Sequence, residues 1–258
     1  MFADVKAVLF DLGDTLVSYP LPSWPTSVAQ GIDAVYGFLV RPGRDQLPPA
    51  AHLPAPGEAH ARRGRPPAGA APLHRAAIGL RRIVRAASGF TLPHIAEAFT
   101  RPLLARGKVY PEAPAALRTL RDRGYRLALV SNTPWGTPDY LWERQIERFG
   151  LADLIPVRLY SSGVGFRKPD PRLFRLALGR LGVRPRQALF VGDSLRDDVA
   201  GAQGAGVWAA LVRRRPSPPG PTCAAPDLTI AGLDELLPYL TGPASSENPS
   251  CPPPPRPL

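Results

Sequence analysis

The chain has little of several things, and each scarcity narrows what it is. Only two cysteines occur in 258 residues, Cys223 and Cys251, both late and in Pro-rich surroundings. They supply neither a disulfide framework nor a metal-ligand spacing. No apolar run approaches the roughly eighteen residues of a membrane span, and the first residues enter a strand without a signal-peptide pattern. The reading is of a soluble, cytoplasmic protein. Lysine is scarce too: Lys6, Lys108 and Lys168 are the only three, so the formal charge of +11 rests almost wholly on arginine. Those arginines are scattered among Pro, Ala and Gly, with few aromatics interleaved and no helix-turn-helix or zinc pattern. Specific nucleic-acid binding is therefore not expected.

What is present begins with a short apolar run, Val5 to Phe10, that ends in Asp11-Leu12-Gly13-Asp14-Thr15. Such a run reads as a strand buried on both faces of a parallel sheet, and α/β proteins place their ligands at the carboxyl edge of that sheet. A helical spacing follows over 26–40 (Val28, Ile32, Val35, Tyr36, Leu39). Residues 41–75 are rich in Pro, Arg, Ala and Gly with almost no large apolar side chain; they read as an irregular low-complexity loop or a local reading-frame anomaly. Helical spacing returns at Leu80, Ile83, Val84 and Ala87, then at Ile95, Phe99 and Leu103, where Pro102 should kink or end the helix.

From residue 106 strands and helices alternate: helix 112–123, strand 126–131, helix 138–149, strand 155–160, helix 171–181, strand 188–192, a short helix, strand 207–212, a weak strand 227–230 and a last helix 233–240. This alternation predicts βαβ units and a parallel sheet. The fold expected is α/β: a three-layer Rossmann-like core over 1–18 and 106–241, an α-helical insertion over 19–105 and a disordered Pro-rich tail over 242–258.

Four polar stretches close strands or open helices: Asp11-Leu12-Gly13-Asp14-Thr15, Ser131-Asn132-Thr133, Lys168-Pro169-Asp170, and Gly192-Asp193 with Asp197 and Asp198. Singly each has a plain structural reading, as turn, loop or helix-start residues. Taken together and in order they resemble the four motifs of the haloacid dehalogenase (HAD) superfamily, with the helical insertion where that family carries its cap. The resemblance implies that Asp11 is the nucleophile of a phosphoryl-transfer hydrolase and forms an aspartyl-phosphate. It implies Mg²⁺ held by Asp11, the carbonyl of Gly13, Asp193 and one of Asp197 or Asp198. It also implies that Ser131, Asn132 and Lys168 bind the phosphoryl group of a small phosphorylated metabolite.

One position departs from the pattern. Where the family's phosphatases carry a second Asp as general acid and base, this chain has Gly13, and its carboxylate comes one residue later, at Asp14. Asp14 is either a substitute acid or a turn residue. The departure keeps open a catalytically weak HAD-like protein that binds a phosphorylated ligand or partner. A dehalogenase is disfavoured, because the resembling dehalogenases lack the Gly-Asp metal acid found here at Gly192-Asp193.

Overall fold

The computed structural model describes residues 2–20, 23–39, 92–214 and 224–242. The Pro-rich loop expected over 41–75, the helical spacing at 80–87, the tail after 242 and both cysteines lie outside them. Strand β1 (Ala7–Phe10) is wholly buried and sits inside a six-stranded parallel sheet of order β5-β4-β1-β6-β7-β8. Its partners are β4 (Arg126–Ser131) and β6 (Ala188–Gly192), with Phe10 level with Leu129 on one side and Val191 on the other. Outside these lie β5 (Val157–Tyr160), β7 (Trp208–Val212) and β8 (Leu228–Ile230). The chain builds outward on one flank of β1 and then crosses to the other, so the order reverses at β1. Ligand crevices form at the carboxyl edge of such a reversal.

Alternate residues of β1 feed two separate cores. Val8 and Phe10 pack with Leu117 and Leu120 of α3 (Ala113–Asp122) and with Trp142 and Ile146 of α4 (Asp139–Arg148). Ala7 and Leu9 pack on the other face with Leu173, Phe174 and Ala177 of α5 (Pro171–Leu181). This is the three-layer arrangement, and it explains why the strand sequences are apolar without alternation. Phe174 meets Phe190 edge-on with ring centroids 5.0 Å apart, both fully buried. Burying each such ring contributes about 2–3 kcal/mol. Helix α5 starts where Asp170 accepts a hydrogen bond from the Arg172 N–H and Pro171 fills the first turn; it stops at Gly182, which is left-handed at φ +63°.

The insertion leaves and re-enters this core through an antiparallel pair, β2 (Val17–Ser18) with β3 (Lys108–Val109). Its described helices, α1 (Trp24–Leu39) and α2 (Leu92–Leu104), cross closely at Gly31, where a Cβ would lie 2.7 Å from the Phe99 ring. Pro102 falls in the last turn of α2, which ends two residues later. Helix α2 is tied to α4 by the Tyr140 hydroxyl donating to the Pro93 carbonyl (3.2 Å) and by an Arg144–Glu97 ion pair (3.1 Å).

Candidate active site

The site grows from the end of β1. The Asp11 N–H donates to the Val191 carbonyl at 2.9 Å, extending the β1–β6 ladder by one residue and fixing where the carboxylate emerges. Leu12 then turns inward as a buried anchor, and its carbonyl accepts from the N–H groups of both Leu16 and Val17. The loop between them reverses at Asp14, whose φ is +52°, a left-handed value that Asp tolerates better than most side chains. Ser131, the last residue of β4, lies on the neighbouring strand at the same edge and is 5% exposed.

Lys168 is 3% exposed, and its Nζ lies 2.5 Å from Asp11 Oδ1 and 2.6 Å from Asp198 Oδ1. Asn132 sets its position by gripping the Lys168 backbone on both sides. Its Oδ1 accepts from the Lys168 N–H at 2.8 Å, and its Nδ2 donates to the Lys168 carbonyl at 3.0 Å. Nδ2 also reaches Asp197 Oδ2 at 3.5 Å. The amide expected among the substrate-binding groups is thus engaged with the protein itself.

Of the two consecutive acids, Asp198 is the one turned inward. It lies in a wide, π-type turn (Leu195–Ala200), and its Oδ2 accepts from the Ser194 N–H at 2.9 Å. Gly192 makes room for it: a Cβ at that position would sit 2.6 Å from the Cβ of Asp198. Carboxylate oxygens of Asp11, Asp193 and Asp198 all lie within 4.8 Å of one another, and Asp197 is not part of this group. Asp14 points elsewhere, accepting from the Tyr110 hydroxyl at 3.4 Å. That tyrosine is covered by the Arg214 guanidinium, 3.8 Å from its ring, which also donates to the Thr15 carbonyl and pairs with Glu112.

Three carboxylates face one ammonium, and their ionisation reflects the mismatch. Burial raises Asp11 to about 6, with Lys168 opposing and Asp198 adding to the rise. Asp193 is exposed to solvent overall, and it rises to about 8, first through partial loss of water around its carboxyl, then through repulsion from Asp11, Asp198 and Asp14. Burial alone would lower Lys168, but Asp11 and Asp198 hold it above its ordinary value. Three hard oxygen donors with unmet negative charge fit a small divalent cation, which would reverse the logic of these shifts.

A stability prediction follows with a definite sign. Without a divalent cation, the folded chain keeps protons on Asp11 up to about 6 and on Asp193 up to about 8, whereas the unfolded chain releases them near 3.8. The folded state therefore binds more protons across that window, and stability falls as pH rises through it. Saturating divalent cation should flatten the fall. Thermal unfolding in chelator and in Mg²⁺ at several pH values checks this; a metal-free protein of constant stability across the window contradicts it.

A buried carboxylate paired to a lysine and flanked by two further carboxylates thus lies at the carboxyl edge of the parallel sheet, where α/β folds bind their ligands. The family model of the haloacid dehalogenase-like hydrolases matches residues 5–206, and the chain belongs to that family. It is 46% identical over 143 residues to the phosphoserine phosphatase of Thermus thermophilus, a match covering 55% of each protein. It is 27% identical over 209 residues to the ribulose-1,5-bisphosphate 5-phosphatase of Halopiger xanaduensis, covering 80% of this chain and 83% of that protein. The match thus spans about half the length of the Thermus relative. Among solved structures, the 2-haloacid dehalogenase of Pseudomonas syringae superposes with a TM-score of 0.61 at 26% identity, over 90% of this chain and 96% of that one.

Sequence reasoning did not find Asn132 as the clamp on Lys168, nor the Tyr110–Arg214 brace behind Asp14. It also missed a polar cluster under the Ser131 loop, where Thr133 bonds to Ser161 and Ser162, and Ser162 to Asp139. The run Ser161-Ser162-Gly163 offered a faint signal: small polar residues directly after a strand.

Proposed function

We propose that this chain is a Mg²⁺-dependent phosphatase that cleaves a small phosphorylated metabolite through a phosphorylated Asp11. The observation that carries the reading is the convergence of Asp11, Asp193 and Asp198 around a single lysine. An oxygen of Asp11 attacks phosphorus as the ester P–O bond breaks; the alcohol departs as its oxyanion and takes a proton from solvent water, and a second water then cleaves the acyl phosphate to release inorganic phosphate and restore the carboxylate. Lys168 remains charged throughout and binds phosphoryl oxygen beside Ser131. Asp11, Asp193, Asp198 and the Gly13 carbonyl would hold the Mg²⁺, which when bound offsets the repulsion between two anions. Residues 19–105 serve as the helical cap over a core of 1–18 and 106–241. The relatives named phosphatases support a phosphate ester as substrate, and Asp193 as a third carboxylate supports the metal-dependent branch over a dehalogenase. The same reading makes it a cytoplasmic enzyme without membrane or nucleic-acid partner; among the described residues no helix is long and apolar enough to cross a membrane.

The test is phosphate release from 4-nitrophenyl phosphate with Mg²⁺ and with chelator. Metal-dependent release supports the reading; phosphate binding without turnover replaces it with a binding protein. Gly13 cannot protonate a leaving group, and Asp14 is turned toward Tyr110. General acid assistance is worth about 10²–10⁴-fold, so esters with acidic leaving groups are expected to turn over faster than alkyl esters by a factor of that order. A panel of aryl, acyl and sugar phosphates measures it. Efficient turnover of simple sugar phosphates, unchanged by Asp14→Ala, would refute it.

A further inference from the structure

Arg214 lies just beyond β7, two strands from β1, and the chemistry above does not use it. Its side chain nevertheless returns to the loop that follows Asp11. Nη2 donates to the Thr15 carbonyl at 3.0 Å, and Nη1 pairs with Glu112 at the start of α3. The guanidinium carbon lies 3.8 Å from the centre of the Tyr110 ring, and the Tyr110 hydroxyl donates to Asp14 at 3.4 Å. One cation thus meets the loop twice, directly at Thr15 and through Tyr110 at Asp14. Two acceptors and one ring fix the plane of the guanidinium, although its Nε is then buried with no partner among the described residues. An ammonium carries the same charge but has neither the fixed fork nor the flat face.

What this hold governs is the Gly13 carbonyl. Gly13 has no side chain to anchor it, and its carbonyl accepts no hydrogen bond among the described residues. Its direction therefore depends on the residues on either side. On one side the Leu12 carbonyl accepts from the Leu16 and Val17 N–H groups, and the Asp14 N–H donates to the Val17 carbonyl at 2.7 Å. On the other side Thr15 is fully buried, so its carbonyl has no water to turn to, and Arg214 supplies the donor instead. Without Arg214 a buried acceptor is stranded, at a cost that favours turning the loop toward solvent.

We propose that Arg214 is a positioning residue for the divalent cation: by holding the Thr15 carbonyl and stacking on Tyr110, it keeps the Gly13 carbonyl presented to an ion bound by Asp11, Asp193 and Asp198. The assignment rests on the Mg²⁺-dependent reading above and adds to it a residue outside the four polar stretches. The sign of the effect separates positioning from charge. A cation beside a metal site repels the ion, so if charge were its whole influence, removing it would tighten Mg²⁺ and Arg214→Lys would change nothing. Positioning predicts the reverse: Arg214→Met and Arg214→Lys both weaken Mg²⁺, by about 10- to 100-fold.

The experiment is calorimetric titration of Mg²⁺ into the full chain as wild type, Arg214→Met and Arg214→Lys, set beside backbone amide exchange of the metal-free proteins. Arg214→Lys keeps the charge and covers the case in which Arg214→Met does not fold. Both variants should bind Mg²⁺ more weakly by the factor above. The N–H groups of Asp14, Leu16 and Val17 should exchange about tenfold faster in them, while those of β4 keep their wild-type protection. Mg²⁺ affinity unchanged in both variants, or tighter binding by Arg214→Met, overturns the assignment. Weaker Mg²⁺ accompanied by an equal loss of protection throughout the sheet marks general loosening and overturns it as well. If wild type itself binds no Mg²⁺, the metal-dependent reading falls and this assignment with it; wild-type binding that both variants retain overturns the assignment alone.

Discussion

Asp11→Asn is expected to lower phosphate release by at least about 10⁴-fold while leaving the fold intact or firmer. The amide matches the carboxylate in shape but has no nucleophilic oxygen, so the covalent route proposed for Asp11 closes. Its effect on stability has the opposite sign. Asp11 is buried and raised to about 6 because its charge is poorly solvated and faces Asp198. A neutral isostere removes that repulsion and still offers an oxygen to Lys168 Nζ, which sits 2.5 Å away. Metal-free Asp11→Asn should therefore melt at or above the wild-type temperature near neutral pH. Activity assays paired with thermal unfolding check both halves. A variant that loses activity because it unfolds, or one that retains substantial turnover, contradicts this assignment.

Lys168→Met should do the reverse, damaging stability and activity together. Lys168 is the cation between Asp11 and Asp198, and all three are buried. Removing one partner of a buried ion pair typically destabilises by about 3–5 kcal/mol, because the remaining charge is left without compensation. Here two carboxylates are stranded. The loss should be largest in chelator at alkaline pH. It should shrink on acidification, which protonates the carboxylates, and on adding Mg²⁺, which replaces the missing positive charge. Activity at saturating Mg²⁺ should still fall by roughly 10²–10³-fold, since a divalent ion does not reproduce the contact with phosphoryl oxygens proposed for the ammonium. Melting curves with and without Mg²⁺, set beside turnover, measure this. A variant as stable as wild type in chelator contradicts it.

The parts of the molecule that were legible in its sequence are those governed by local chemistry. Strands 126–131 and 188–192 and helix 171–181 have the bounds their apolar runs and punctuation predict, with Asp170-Pro171 opening the helix and Gly182 closing it. Strand ends carry the polar motifs, so parallel pairing alone brings residues 11, 131 and 193 to one edge. The insertion's β2–β3 neck was not legible, because two-residue strands show no periodicity. Neither was the choice between Asp197 and Asp198. Adjacent residues on a turn look alike in sequence, and what separates them is the Ser194 N–H and the space left by Gly192. The Asn132 grip on Lys168 links residues 36 apart, and the Arg214 bond to Thr15 links residues 199 apart. Such contacts arise only once the sheet has formed. The role of Asp14 likewise waited on Tyr110, which lies beyond the whole insertion.

The most direct measurement is to mix the protein with Mg²⁺ and 4-nitrophenyl phosphate, quench in acid within one turnover, and map phosphoryl adducts by peptide mass spectrometry. A phosphoryl group on the peptide containing Asp11, absent from the Asp11→Asn variant, is the expected result. Turnover with no adduct on that peptide, or an adduct carried by a different residue, would show that the carboxylate at the end of β1 is not the group that attacks phosphorus.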